Sequence, residues 1–292
     1  MLDRLVWEKD GRNWPLREAS GFVQAAGLQW HVVQMGSGPV VLLIHGTGSS
    51  THSWRQVAPL LAHRFTVVAP DLPGHAFTDP LPSRGPSLTG MAAALRELLQ
   101  TIGLPPQLVV GHSAGAAILA RMSLDGDIGP RGLVSVNGAL LPLRGVAGHV
   151  FSPIAKLLAL HPLVPRLFAW RASEESAVQR LIRSTGSTLD PAGVELYRRL
   201  VRNPAHVAAA LSMMANWDLR ELMHDLPYLK PPLTLVVGDN DQTVPPSEAP
   251  RVKALLPSAA VVSVPGLGHL AHEESPGAFA DLMISIAASL NL

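Results

Sequence analysis

The chain has 292 residues, which allows about two ordinary domains or one large domain with an insertion. Hydrophobic residues make up 47% and charged residues only 15%, a balance that excludes an intrinsically disordered protein. The 23 basic side chains nearly cancel the 22 acidic ones, so no nucleic-acid partner is expected. Cysteine is absent, which excludes disulfide scaffolds, thiolate metal sites and thiol catalysis.

The first residues are polar and irregular, with Trp7 and Trp14 among charged side chains where a signal peptide would need an apolar stretch. They suit an arm that lies over the body of the protein, and a contact with a partner is the alternative. Segments 98–120 and 254–272 carry few charges, but each is interrupted by Gly or Pro. No transmembrane segment is therefore predicted.

Strand and helix patterns alternate along the first half of the chain. Two short strands are predicted around Gly27, and the apolar run VVLLIH at 40–45 is typical of a strand that is buried on both faces. The predicted strands are 22–26, 28–35, 40–45, 65–69, 108–111 and 133–136, and the predicted helices are 52–63, 87–102 and 114–124. This order indicates an α/β protein with a mostly parallel central sheet flanked by helices.

The alternation stops after the sixth strand. Residues 140–218 contain helical patterns and prolines but no convincing strand, whereas strands return at 233–237 and 260–264 before a last helix at 277–290. The simplest organisation is an α/β core built from 1–139 and 219–292, with 140–218 as a helical cap. We expect the cap to cover the carboxyl edge of the sheet, where open α/β sheets bind ligands.

Residues 111–115 read GHSAG and lie between a predicted strand and a predicted helix. This is the pattern of a nucleophile elbow, a tight turn in which small residues flank a strained serine. A glycine-rich turn with an incidental serine is the alternative, but the strand and helix on either side favour Ser113 as a nucleophile. The following helix would direct its positive N-terminal end at the reacting group.

A serine hydroxyl needs a base, and the base needs an orienting acid. His269 follows the strand at 260–264, and two aspartates, Asp239 and Asp241, follow the strand at 233–237. We favour Asp241 as the acid because its position further along the loop gives it the reach to meet the histidine. Asp239 is expected to orient the loop. The end of the preceding strand reads Val-Asn-Gly at 136–138 and offers no carboxylate.

Acyl transfer also requires hydrogen-bond donors for an oxyanion. The HGTG segment at 45–48 follows the third strand, so the backbone N–H groups of Thr47 and Ala114 are the predicted pair. His272 is close to His269 in sequence, but no ligand pattern such as H-E-x-x-H accompanies it. We therefore predict neither a metal nor a cofactor, and the sequence has no ATP-binding loop of the G-x-x-x-x-G-K-[ST] type.

The motifs HGTGSS, DLPGH, GHSAG, GDNDQTVP and GLGH, in this order and spacing, resemble the α/β-hydrolase superfamily. The resemblance implies the α/β-hydrolase fold and a triad of Ser113, His269 and Asp241. A serine at the elbow separates the chain from haloalkane dehalogenases and epoxide hydrolases, which use aspartate. Ala76 stands where many relatives have glycine, and this difference affects only the shape of that loop.

A narrower resemblance includes the N-terminal segment, which the general hydrolase pattern does not require. The segments DRLVWEKDGRNWPLREAS, GLQWHVVQMGSGP, HGTGSSTHSWR and GHSAGAAILARM are similar to the magnesium-chelatase accessory proteins of bacteriochlorophyll synthesis, the BchO family. The resemblance implies a pigment pathway, a porphyrin or chlorin as ligand, and magnesium-chelatase subunits as partners. It implies a cytoplasmic location and leaves contact with the inner-membrane surface open.

The predicted cap is rich in apolar side chains and Met, which suit a large apolar substrate. The residues predicted to line the substrate pocket are His112, Phe168, Trp170, Met213, Met214 and Trp217. A tetrapyrrole or a long acyl chain would fit such walls. The same side chains are also what a cap needs merely to pack on its core.

Two kinds of function follow from the sequence. The first is a serine hydrolase that cleaves an ester or a related acyl bond in a capped apolar pocket. The second is a non-catalytic accessory protein that binds a tetrapyrrole for the magnesium-chelatase step, since a fold does not fix a function. A related reaction on the same site, such as carbon–carbon bond hydrolysis or a lyase step, also remains open.

Overall fold

The computed structural model describes residues 2–81, 85–142, 163–171 and 175–292. Parts of the predicted cap, 143–162 and 172–174, lie outside these residues. The side chains of Phe168 and Trp170 also lie outside what the structure describes, although both residues belong to a described helix.

One sheet of eight strands forms the centre of the described residues. The strands are β1 (Ser20–Ala25), β2 (Leu28–Met35), β3 (Val40–Ile44), β4 (Thr66–Pro70), β5 (Leu108–His112), β6 (Gly132–Val136), β7 (Leu233–Gly238) and β8 (Ala260–Val264). Their order across the sheet is β1-β2-β4-β3-β5-β6-β7-β8. Strands β1 and β2 pair antiparallel, β2 pairs antiparallel with β4, and the remaining pairs are parallel. The predicted α/β class and mostly parallel sheet are confirmed.

Helices cover both faces of this sheet. In chain order they are α1 (Trp7–Asp10), α2 (Val57–Leu61), α3 (Leu88–Ile102), α4 (Ala114–Asp125), α5 (Leu163–Arg171), α6 (Glu175–Ser184), α7 (Pro191–Val201), α8 (Pro204–Ala215), α9 (Arg220–Asp225), α10 (Glu248–Leu255), α11 (Ala271–Glu274) and α12 (Pro276–Ser289). Helices α3 and α4 pack on one face and α2 and α12 on the other. None of the described helices combines the length and apolarity needed to cross a membrane.

Strand β3 shows why its sequence is continuously apolar. Leu42 and Ile44 pack into the core on the α3–α4 side, while Val41 and Leu43 pack on the α2–α12 side. All four side chains are at most 1% exposed. A strand with helices on both faces has no side that tolerates polar residues, so period-two alternation is lost.

The single helix predicted at 52–63 is wrong. The structure has a short 3-10 helix at Thr51–Trp54, and α2 begins only at Val57. Pro59 explains the break, because proline is tolerated in the first turn of a helix but removes a backbone hydrogen bond from its interior. The chain therefore starts a new helix just before Pro59.

The N-terminal arm lies against the rest of the protein. The ring of Trp7 packs 4.9 Å from the ring of Phe77, and Trp14 is only 3% exposed. Trp14 shares a buried cluster with Phe77 and with Leu200 of α7, and the guanidinium of Arg199 lies 5.0 Å from its ring. The arm therefore contacts both the sheet-bearing part and the helices that follow β6.

Helices α5 to α9 lie between β6 and β7 in the chain, and the residues described there, 137–142, 163–171 and 175–232, include no strand. Two of these helices start on side-chain caps. Asp190 accepts a hydrogen bond from the N–H of Gly193 at 2.6 Å, and Asn203 accepts one from the N–H of His206 at 2.9 Å. Proline follows each cap, where its fixed φ and missing N–H are favourable.

Candidate active site

Ser113 connects the end of β5 to the start of α4 in a strained conformation, with φ +52° and ψ −117°. Residues other than glycine rarely adopt positive φ, and such strain is concentrated at functional sites. The two motif glycines allow close packing around the turn. A Cβ atom on Gly111 would lie 2.4 Å from the backbone N of Ala116, and one on Gly115 would lie 2.5 Å from the carbonyl oxygen of Ile44. The sequence motif thus forms the elbow that it predicts.

His269 and Asp241 form a buried pair. The Nδ1 atom of His269 lies 2.8 Å from Oδ2 of Asp241, and the carboxylate is fully buried. The other carboxylate oxygen accepts hydrogen bonds from the N–H groups of Thr243 at 2.7 Å and Val244 at 2.9 Å. Because the carboxylate can only accept, the network places the histidine proton on Nδ1 and leaves Nε2 free to act as a base.

Asp239, the other aspartate in this loop, is exposed and does not contact the histidine ring in any described hydrogen bond. Its Oδ1 atom accepts a hydrogen bond from the N–H of Gly266 at 2.6 Å. The carboxylate therefore connects the loop after β7 to the loop after β8, which is the orienting position expected for it.

His112, which is predicted to line the substrate pocket, packs against His269. Its side chain is only 2% exposed, and its ring centroid lies 4.7 Å from that of His269. Its Nε2–H donates to the main-chain carbonyl of His269 at 2.9 Å. The ring thus supports His269 by packing against its ring and by bonding to its main-chain carbonyl.

The ring of His272 also packs against the ring of His112, with the two centroids 4.6 Å apart. Burial lowers the pKa of His272 to about 3, and burial together with the neighbouring His272 and His269 holds the pKa of His112 well below its usual range. Both rings are neutral at pH 7, so neither opposes a positive charge on His269. Among the described residues, no cluster of three or more His, Asp or Glu side chains is arranged to hold a metal ion.

The loop after β3 packs directly against the elbow. A Cβ atom on Gly46 would lie 2.9 Å from the Cβ of Ser113, so this backbone comes as close as glycine permits. Thr47 follows Gly46, and Ala114 follows Ser113, which brings the two predicted oxyanion donors to neighbouring positions. His45 fixes the start of the loop: its Nδ1–H donates to the carbonyl of Gly46 and its Nε2 accepts from the N–H of Leu72, both at 2.8 Å.

Helix α8 covers this loop. His206 donates from Nε2 to the carbonyl of Gly48 at 3.1 Å and accepts at Nδ1 from the N–H of Ala76 at 3.0 Å. The hydroxyl of Thr47 donates to the Sδ atom of Met213 at 3.5 Å. Burial lowers the pKa of His206 to about 4, which keeps this two-sided bridge neutral at pH 7.

The predicted pocket residues are only partly brought to the site. Met213 is fully buried and contacts Thr47, whereas Met214 and Trp217 are half-buried. Trp217 packs against the core on the α3–α4 side. The structure describes no side chain for Phe168 or Trp170, so their predicted pocket positions lie outside the described residues.

The sequence does not predict how the region between β6 and β7 contacts the loops of the candidate triad. Residues 185–187, here named the clamp segment, reach across to both loops. The carbonyl of Thr185 accepts hydrogen bonds from the N–H groups of Gln242 at 3.1 Å and His269 at 3.3 Å. Ser187 accepts at Oγ from the N–H of Leu270 at 2.8 Å and donates to Glu274 at 3.0 Å. No sequence signal marks such contacts, because they join residues about 60 to 90 positions apart.

A second polar network, also not predicted, lies where α7 meets the core. Arg55 pairs with the buried carboxylate of Glu273, which also accepts a hydrogen bond from the hydroxyl of Tyr197 at 2.7 Å. Tyr197 lies 3.1 Å from the hydroxyl of Ser49 in the loop after β3. Burial raises the pKa of Glu273 to about 7, although the charge of Arg55 opposes this shift.

A family model described as the alpha/beta hydrolase fold matches residues 39–276. This range contains the elbow, both loops of the His269–Asp241 pair and the loop of Thr47. The chain belongs to the α/β-hydrolase fold family.

Within that family, the chain is 38% identical over 263 residues to the magnesium-chelatase 30 kDa subunit of Rhodobacter capsulatus, covering 89% of this chain and 92% of the relative. It is 27% identical over 270 residues to the pimeloyl-[acyl-carrier protein] methyl ester esterase of Vibrio vulnificus, covering 89% and 98%. A crystal structure of an α/β-hydrolase fold protein from Burkholderia ambifaria shares the fold, with a TM-score of 0.76 at 24% identity over 91% of this chain and 97% of that one.

Proposed function

We propose that the protein is a serine hydrolase that cleaves an ester or a related acyl bond. The observation that carries the proposal is the buried His269–Asp241 pair, at 2.8 Å, beside an elbow that holds Ser113 at positive φ. Such strain has a cost of about 1–3 kcal/mol, and a buried carboxylate–imidazole pair beside a serine is the arrangement that activates its hydroxyl.

The proposed reaction has two halves. Ser113 Oγ attacks the substrate carbonyl while its proton passes to Nε2 of His269, and Asp241 stabilises the resulting imidazolium. The backbone N–H groups of Thr47 and Ala114 donate to the oxyanion of the tetrahedral intermediate. His269 then gives its proton to the leaving alcohol, and a water molecule, deprotonated by His269, hydrolyses the acyl-enzyme and restores Ser113.

We assign residues 140–218 to a cap and the substrate pocket to the space between cap and elbow. Supporting this assignment, α8 lies on the loop of Thr47 and the clamp segment lies on the loops of His269 and Asp241. The apolar and Met-rich character of α8 suits a large apolar substrate. Since a relative of 38% identity is named as a magnesium-chelatase subunit, we propose a porphyrin or chlorin ester as substrate.

The same relative supports a second function. A subunit name implies assembly with other chelatase subunits, so this chain would bind a tetrapyrrole in the cytoplasm as an accessory protein and would not need to hydrolyse it. Contact with chelatase subunits and with the inner-membrane surface belongs to this proposal. The neutral rings of His112 and His272 favour the hydrolase, because they do not repel the positive charge that forms on His269 during the reaction.

Covalent labelling with a fluorophosphonate probe, followed by intact mass, separates the two functions. We expect the wild type to take up one probe molecule and Ser113→Ala to take up none. Ser258→Ala, which changes an exposed serine in the loop before β8, is the control and should label like the wild type. A folded wild type that does not label would reject the hydrolase and favour the accessory protein, which binding of a porphyrin would then test.

A further inference from the structure

The turn that follows β6, residues 136–139, contacts the candidate nucleophile through its backbone. The N–H of Ser113 donates to the carbonyl of Val136 at 3.0 Å, and the carbonyl of Ser113 accepts from the N–H of Ala139 at 3.1 Å. Both backbone groups of the strained serine are therefore held by this one turn, which we name the β6 turn.

Asn137, in the middle of the β6 turn, contacts the other two loops. Its Oδ1 accepts from the N–H of Gly238 at 2.8 Å, three residues before Asp241. Its Nδ2 donates to the carbonyls of Gly268 and His269, both at 2.9 Å. Two carbonyl acceptors and one N–H donor can be satisfied together only by an amide in this orientation, so the network itself fixes the side chain.

The backbone conformation of the β6 turn restricts which residues can occupy positions 137 and 138. Asn137 is 3% exposed and has φ +46°, a conformation that asparagine tolerates better than most residues. A Cβ atom on Gly138 would lie 1.9 Å from the hydroxyl oxygen of Ser135, so the next residue must be glycine. A rigid turn with a fixed amide is suited to setting distances between the loops that it contacts.

We infer that Asn137 is a positioning residue that fixes the positions of the His269 loop and the Asp241 loop relative to Ser113. The inference rests on the proposed function, since it assigns a role in bringing the three groups of that reaction together. His112 also donates to the carbonyl of His269, but nothing else described replaces the contacts of Asn137 with Gly238 and Gly268. Losing them should displace the base, and a displacement of about 1 Å costs about 100-fold in rate.

Asn137→Gly tests the inference because it removes the amide and keeps positive φ free of strain. Asn137→Asp keeps the size of the side chain, but an ionised carboxylate cannot donate to the two carbonyls. Asn291→Gly is the matched control: Asn291 also has positive φ, at +57°, and it is exposed near the C-terminal end of the chain.

Two readouts are measured on each variant, together with its urea unfolding midpoint. The first is the rate of fluorophosphonate labelling between pH 6 and pH 9. The second is the downfield NMR signal of the His269 Nδ1 proton, assigned by its loss in Asp241→Asn. The buried pair of His31 Nδ1 and Asp71 Oδ2, 2.8 Å apart, supplies an internal reference signal.

We expect folded Asn137→Gly to label about 100-fold more slowly and to lose or shift the His269 signal, with the His31 signal and the Asn291→Gly control unchanged. Labelling of Asn137→Asp should slow further as the pH rises, because its ionised carboxyl group can no longer donate to a carbonyl. Wild-type labelling and an unchanged His269 signal in the folded variants would overturn the inference. If the wild type itself does not label, the proposed function fails, and the NMR signal alone decides whether Asn137 positions His269. If Asn137→Gly does not fold, Asn137→Asp is used for the test.

Discussion

At the scale of single residues, the two aspartates after β7 have the same side chain but different burial and different partners. Asp241 is buried and meets His269, whereas Asp239 is exposed and meets only the N–H of Gly266 among its described hydrogen bonds. An asparagine would preserve the second contact, because its carbonyl oxygen accepts a hydrogen bond equally well. It would not preserve the first, because only a carboxylate both accepts on each oxygen and stabilises an imidazolium.

We predict that Asp241→Asn slows fluorophosphonate labelling by about 10⁴-fold, the size of the effect in established triads of this type. Asp239→Asn is the matched control in the same loop and should stay within about 3-fold of the wild type, since a lost exposed charge contributes little. Labelling rates of the two purified variants provide the measurement. Equal losses in both would mean that Asp241 does not serve as the acid.

The sequence was sufficient to predict Ser113, His269 and Asp241 as candidates, because each follows a strand in the order that an α/β sheet requires. It was not sufficient for Asn137. The end of β6 offers no carboxylate, and an amide that acts by bonding to two carbonyls has no recognisable sequence pattern. The contact between His112 and the His269 loop was not predictable for a related reason, because the two residues lie 157 positions apart.

At the scale of elements, the clamp segment joins the helical region between β6 and β7 to the candidate site. A Cβ atom on Gly186 would lie 1.9 Å from the carbonyl oxygen of Asn240, in the loop of Asp241. A Cβ atom on Gly268, next to His269, would lie 2.3 Å from the carbonyl oxygen of Gly186. Two backbone segments in such contact cannot move apart without changing both loops.

We predict that Gly186→Ala lowers the labelling rate by at least about 10-fold, because the new methyl group pushes the clamp segment away from the loop of Asp241. Gly186 has φ +84°, so part of any loss of stability comes from backbone strain of about 1–2 kcal/mol. Gly126→Ala is the control, since it has φ +77° and a Cβ there meets no atom within 4 Å. A labelling rate that falls equally in both variants would contradict the role of the clamp segment.

Elements were predictable where local signals agree. Central strands such as β3 are predictable because burial on both faces makes them continuously apolar, and α3 and α4 are predictable from their helical patterns. Helix α2 was predicted too long because the apolar pattern continues across Pro59. Contacts between α8, the clamp segment and the core depend on the tertiary arrangement, which no local pattern specifies.

At the scale of the whole molecule, buried neutral histidines set the response to acid. Burial lowers the pKa of six imidazoles below the ordinary value of 6.5; they are His45, His52, His75, His112, His206 and His272. Their contribution to stability is complete above pH 6.5 and is lost as the pH falls, because the unfolded chain then binds protons that the native state excludes. Glu273 acts in the opposite direction, since its pKa is raised to about 7 and its contribution is gained as the pH falls from 7 to 4.5.

We predict that the urea midpoint falls steeply between pH 6.5 and pH 5, since each excluded proton changes the free energy of unfolding by ~1.4 kcal/mol per pH unit. His272→Leu should weaken this dependence and raise the midpoint at pH 5.5, because neither ring nitrogen of His272 has a partner among the described residues. Circular dichroism at a series of pH values measures both. A midpoint that stays constant from pH 7 to pH 5 would contradict the prediction.

The N-terminal arm has a consequence for how the protein is made. Trp14 completes a cluster with Leu196 and Leu200, and the main-chain carbonyl of Asp10 accepts a hydrogen bond from Arg199, so these partners of the arm emerge from the ribosome about 185 residues after it. The arm is therefore synthesised well before its contacts with α7 can form, and Trp14 lacks these neighbours until then. The polar residues around Trp7 and Trp14, which suit a surface arm, also keep this nascent segment soluble until α7 is complete.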